Sequence, residues 1–85
     1  MPKSVFTEAY ASILARLIRL RGDKRVSQVE LARRLGKTQQ FVSKVEQGVR
    51  RIDPVEFYAI VKALDADPAA LFAEVTDDFA DRIEI

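Results

Sequence analysis

Eighty-five residues suffice for one modest core and are too few to divide between two self-supporting domains. The chain has no cysteine and no histidine. It therefore lacks a disulfide framework and most general bases, nucleophiles and transition-metal ligands, so catalysis, a bound metal and a cofactor are not expected. The net charge of +1 conceals an asymmetry, because residues 1–51 hold twelve Lys and Arg against four acids whereas residues 52–85 hold two bases against nine acids.

A half carrying +8 suits a polyanion, since each phosphate neutralised by Lys or Arg releases condensed counterions. The half carrying −7 then either faces elsewhere or neutralises the first half within the fold. No apolar run approaches the ~18 residues of a membrane span, and the N-terminus lacks a basic stretch followed by an apolar block and a cleavage site. The expectation is a soluble, unexported, cytoplasmic protein.

Along the chain, Tyr10, Ile13, Leu14, Leu17 and Ile18 recur at spacings of three and four, which predicts an amphipathic helix from about Thr7 to Arg21, ended by Gly22 and Asp23. Ser27 and Glu30 make a capping box ahead of Leu31, Ala32 and Leu35, predicting a second helix over about 28–35. Gly36 stands where a left-handed cap is needed. Thr38 is the N-cap of a third helix that turns Val42 and Val45 inward and closes at Gly48.

Asp53, Pro54 and Glu56 combine an N-cap acid, a proline in the first turn and a capping-box glutamate, starting a fourth helix with Phe57, Ile60, Val61 and Leu64 on its apolar side. Asp67 and Pro68 repeat the device for a short fifth helix with Leu71 and Phe72. Beyond it, Phe72, Val75, Phe79 and Ile83 keep helical spacing, so a sixth helix from about Thr76 and an extended segment over Arg82–Ile85 are both open. The architecture is all-α.

The segment from Ser27 to about Gln47 holds two short helices joined by a tight glycine-containing turn. In that geometry the second helix projects from the body and its first turn fits a B-DNA major groove, while the first helix crosses the backbone. The same geometry also serves in helical bundles that bind no DNA. The third helix tips the balance, because its exposed positions are Thr38, Gln39, Gln40, Ser43 and Lys44, with no acid among them. Glutamine matches the N6/N7 edge of adenine bidentately, lysine donates to guanine O6/N7, and a threonine methyl meets the thymine methyl. Gln28, Arg33, Lys37, Arg50 and Arg51 stand around this helix as candidates for phosphate contacts, which position a protein without specifying sequence. Gln28 is favoured among them by its place at a helix N-terminus. Arg34 and Lys24 read as solubilising charges.

These residues resemble the Cro/repressor-type, or XRE, helix-turn-helix family, from "SQVELARRLGKTQQFVSKVEQGVRR" through "DPVEFYAIVKALDADPAAL". The resemblance covers about residues 7–73. Its most specific elements are Gln28 with Glu30, Leu31 and Ala32, then Gly36, then Val42 to Gly48 followed by Arg50 and Arg51. It implies a five-helix, lambda-repressor-like DNA-binding domain over residues 1–73, with residues 74–85 as an acidic C-terminal extension. The Thr38-Gln39-Gln40 triplet looks like that of a lambdoid phage repressor, which implies Gln39 on adenine, Gln40 on a neighbouring base and Lys44 at another reading position. The resemblance also pairs Arg21 with Glu46 as a structural ion pair that sets the angle of the third helix. Phe41 departs from that repressor, which has a small polar residue there, and either packs inward or rests against sugars and thymine methyl groups.

The expected partner is double-stranded DNA, bound as a dyad-symmetric operator by a homodimer acting as a transcriptional regulator, a repressor in the first instance. Phe72, Val75, Phe79 and Ile83 form a stripe with two readings of equal standing: a dimer interface, or a segment folded back on the first and fifth helices. The alternative function is an antitoxin or other interaction module whose acidic tail binds a partner protein.

Overall fold

Every helix among the described residues begins on a side chain that accepts from an N–H of the first turn. The computed structural model describes residues 7–83, which form five helices and no strand: α1 (Glu8–Asp23), α2 (Gln28–Leu35), α3 (Gln39–Glu46), α4 (Pro54–Ala63) and α5 (Pro68–Thr76). The N-caps are Thr7, Ser27, Thr38, Asp53 and Asp67, each in extended backbone with its side-chain oxygen accepting from an N–H of the first turn. The box at α4 is complete, with Glu56 N–H donating to Asp53 and Asp53 N–H to Glu56. The one expected at α2 is half made. Ser27 accepts from Glu30 N–H, but the Glu30 carboxylate takes Arg33 and Arg34 instead of reaching back to Ser27, because two guanidinium groups one turn on offer charge-assisted donors.

Four helices end in one device, a left-handed residue whose successor donates back to the carbonyl five residues earlier. The left-handed positions are Arg25 after α1, Gly36 after α2, Gly48 after α3 and Asp65 after α4. The closing bonds run from Val26 to Arg21, Lys37 to Ala32, Val49 to Lys44 and Ala66 to Val61. Of the two residues expected to end the first helix, Asp23 is the last residue of α1 and Gly22 lies inside it, while Arg25 carries the left-handed conformation.

The core is assembled from Tyr10, Leu14, Leu17 and Leu20 of α1, Leu31 and Ala32 of α2, Val42 and Val45 of α3, Ile60 and Val61 of α4, and Leu71 and Val75 of α5, with Val26 and Leu64 from the connections. α2 lies against both α3 and α4, while α1 packs on α3 and α5, so the recognition pair is braced from behind on two sides. Ile18, expected inside, is 37% exposed, and Leu20 is buried in its place. Tyr10 adds a polar tie to its burial, its hydroxyl accepting from Ile52 N–H at 3.1 Å in the α3–α4 connection.

Past Thr76 the described chain forms turns and bends rather than a sixth helix. The expected stripe is not one surface. Val75 is 8% exposed in the protein's own core and Phe79 packs against that core, whereas Phe72 and Ile83 remain exposed. Val75 is therefore spent in the protein's own core. α5 also runs across the expected boundary between residues 73 and 74. Glu84 and Ile85, where an extended end was one expectation, lie outside the described residues.

Candidate nucleic-acid interface

Val42 and Val45 anchor α3 inward, so the opposite face of its two turns looks outward. Gln39, Gln40 and Lys44 are exposed and Ser43 is half-buried. Thr38 is exposed, and its hydroxyl accepts from the Phe41 N–H at 3.2 Å. Ser43 Oγ accepts from Gln47 Nε2 at 3.2 Å. Gln40 and Lys44, one turn apart, make no side-chain hydrogen bond or ion pair among the described residues. Glu46, the acid of this helix, is turned away from them with only 12% of its side chain exposed.

Glu46 is the hub that fixes α3. Arg21 of α1 donates to both its oxygens, Nε to Oε2 at 2.6 Å and Nη2 to Oε1 at 2.9 Å, and sends Nη1 to the Val26 carbonyl at 2.9 Å. Gln28 of α2 donates to Glu46 Oε1 at 2.8 Å and accepts from Gln39 Nε2 at 2.6 Å. The resemblance-based Arg21–Glu46 pair is thus present, and it extends as a relay from α1 through Glu46 and Gln28 to the first residue of α3. Gln28 was expected at a phosphate. In this arrangement both ends of its half-buried amide are engaged inside the protein.

The other candidate phosphate cations divide by partner. Arg33, with 71% of its side chain exposed, forms a fork with Glu30 at 2.9 and 2.6 Å. Arg33, and then Arg34, hold the Glu30 carboxyl down at about 2. Lys37 and Arg50 both sit over the Phe41 ring, at 5.4 and 5.3 Å from its centroid. Arg50 also donates to both oxygens of Glu56, at 2.8 and 2.7 Å, and to the Arg51 carbonyl. This fork raises the Arg50 pKa and lowers that of Glu56. Arg51 stacks on Tyr10, 4.2 Å from the ring centroid.

Three roles escaped sequence reasoning. Phe41 is half-buried against the core and carries two cations over its ring, which no periodicity shows. Glu56 reads as an α4 cap in sequence and is also the carboxylate that holds Arg50. Arg34 and Lys24, read as solubilising, donate to the Ala63 and Asp65 carbonyls at the end of α4. The two halves of the chain meet in ion pairs at Arg16–Glu74 and Arg50–Glu56, while Lys37 and Lys44 keep their charge on the α3 side.

Residues 17–71 match the helix-turn-helix family, a span that contains α2, α3 and the Arg21–Glu46–Gln28 relay. The chain belongs to the XRE helix-turn-helix family. It is 36% identical to an XRE-family-like protein from Pseudomonas syringae pv. tomato, with a TM-score of 0.81 over 85% of this chain and 88% of that one. It also shares its fold with the clp gene regulator ClgR from C. glutamicum, at 24% identity and a TM-score of 0.74, over 89% of this chain and 99% of that one. No curated protein matches the chain. As an XRE-family helix-turn-helix protein it is a DNA-binding transcription regulator, with all-α architecture as expected from the sequence. No helix among the described residues is long and apolar enough to cross a membrane.

Proposed function

We propose that this protein is a repressor that binds a dyad-symmetric operator as a homodimer, with α3 lying in the major groove of each half-site. One observation carries the reading: Gln39, Gln40 and Lys44 stand exposed together while the neighbouring carboxylate, Glu46, is folded onto Arg21. A face with two amides, an ammonium and no outward acid meets base edges as a donor and acceptor array and meets phosphates without repulsion. Lys37 and Arg50 flank it as phosphate contacts, with Arg33 and Arg51 further out.

Two copies supply the base pairs that one 85-residue domain cannot read alone, with half-sites about 34 Å apart. The second copy docks on the face around Phe72, which is 48% exposed and meets Phe57 edge-on at 5.8 Å. Tyr58 lies nearby, 56% exposed, along an apolar groove of about 470 Å³ between α1, α4 and α5. Repression follows from occupancy, since a dimer lying across a promoter excludes other proteins from the same groove.

The deciding experiment is selection of bound duplexes from a randomised pool, paired with a solution mass measurement. An enriched inverted repeat and a dimer mass support the reading. Recovery of duplexes without any enriched site removes the operator, and a monomer mass at operator-binding concentrations removes the homodimer.

A further inference from the structure

Arg50 is an exposed arginine whose guanidinium meets a carboxylate, a backbone carbonyl and an aromatic ring. Its guanidinium is fixed in plane by Glu56, which takes one hydrogen from each terminal nitrogen, and Nη1 spends its second hydrogen on the Arg51 carbonyl. The Cζ of the same group lies over the Phe41 ring, 5.3 Å from its centroid. Glu56 has a second tie, because Oε1 also accepts from Asp53 N–H at 2.8 Å as part of the α4 capping box.

The bonding is end-on, through Nη1 and Nη2. An arginine has a second fork, formed by Nε–H and the remaining Nη2 hydrogen, and none of the contacts made by Arg50 uses it. That side fork has the spacing for two oxygens of one phosphate. An exposed arginine normally surrenders rotamer freedom on binding; here a carboxylate, a carbonyl and a ring already restrict that freedom.

We propose that Glu56, with Phe41 beneath, is a positioning residue that aims the side fork of Arg50 at a single backbone phosphate of the bound duplex. The inference rests on the DNA-binding reading above and adds a role for two residues beside the one that meets the phosphate. The opposed reading makes Glu56 a competitor that occupies Arg50 until a phosphate displaces it. The geometry favours positioning, since the phosphate fork and the carboxylate fork lie on different edges of the guanidinium and need not exchange.

The test is the affinity of the full chain for one mixed-sequence duplex across a salt series, for wild type, Arg50→Ala, Glu56→Gln and the double variant. Glutamine also completes a capping box, so α4 keeps its start, and thermal melts verify folding. Arg50→Ala is expected to weaken binding about tenfold and to reduce the salt slope by about one. Glu56→Gln is expected to weaken binding about three- to tenfold alone and not at all in the Arg50→Ala background. A Glu56→Gln variant that binds as tightly as wild type or more so, with Arg50→Ala still weak, overturns positioning and leaves the phosphate contact standing. An Arg50→Ala variant indistinguishable from wild type removes the contact and the positioning together.

Discussion

The Gln39 amide donates to Gln28 Oε1 at 2.6 Å, so the first residue of α3 is held by the first residue of α2 before any duplex arrives. Because Gln28 passes the constraint on to Glu46 at 2.8 Å, the orientation of Gln39 is tied to the same carboxylate that anchors α3 on Arg21.

Gln28→Ala should therefore relax base preference at the base pair that Gln39→Ala relaxes, although its own side chain reads no base in the proposed complex. Each substitution is expected to cost about 1–3 kcal/mol against the preferred sequence. The double variant should cost less than the sum, because the two act through one bond. Competition binding with single-base operator variants reads both effects, and full additivity would show that Gln28 does not orient Gln39.

The Arg21–Glu46 pair governs stability. Its side chains are 18% and 12% exposed, so removing one partner leaves the other poorly solvated and costs about 2–3 kcal/mol, below the 3–5 of a fully buried pair. Arg21→Ala should be the worse of the two single changes, since it strands Glu46 with only Gln28, whereas Glu46→Gln leaves Arg21 its bond to the Val26 carbonyl. For a domain of this size the melting temperature should fall by roughly 10–20 °C. Arg21→Met combined with Glu46→Leu should melt higher than Arg21→Ala, because no charge is left unpaired.

Acid should act early through Glu30. Its carboxyl is held at about 2, against 4.5 ordinarily, first by Arg33 and then by Arg34. A carboxyl whose folded pKa is depressed binds fewer protons folded than unfolded, so its contribution is whole above about 4.5 and fades as pH falls toward 2. Melting curves between pH 5 and pH 2 should show a shallower decline for Glu30→Gln than for wild type. Parallel curves would mean that the two arginine forks contribute nothing in solution, the common fate of exposed pairs.

Backbone handedness supplies a paired prediction. Gly36 has φ +68 and nothing within 4 Å of an added Cβ, so Gly36→Ala should cost about 1 kcal/mol through conformation alone. Arg25 has φ 57 with a side chain, so Arg25→Gly should gain about 0.5–1 kcal/mol by the same reasoning in reverse. Denaturant midpoints of the two variants should move in opposite directions.

The extent of sequence legibility differs between fold and site. Caps at Ser27, Thr38, Asp53 and Asp67 and the apolar spacings marked the starts of α2 to α5 within a residue, because capping and periodicity act over a few neighbouring positions. Left-handed stops were legible only where glycine marked them; Arg25 and Asp65 adopt the same conformation without that mark, forced by the packing of Val26 and Ala66 behind them. The stripe at Phe72, Val75, Phe79 and Ile83 had the right spacing for either destination, and spacing alone carries no information about what stands opposite.

The order of residues by itself determined five helices, a glycine bend between the second and third, and an acid-poor outward face on α3, since each depends on contacts within about one turn of chain. Tertiary structure alone decided which polar groups remain available on that face. Glu46 is withdrawn by an arginine 25 residues earlier, Gln39 is steadied by a glutamine 11 residues earlier, and Arg50 is held by a carboxylate six residues later that sequence assigns only to a helix cap. Hydrogen bonds between side chains on different elements depend on where the core places those elements, and the core forms from residues distant in the chain.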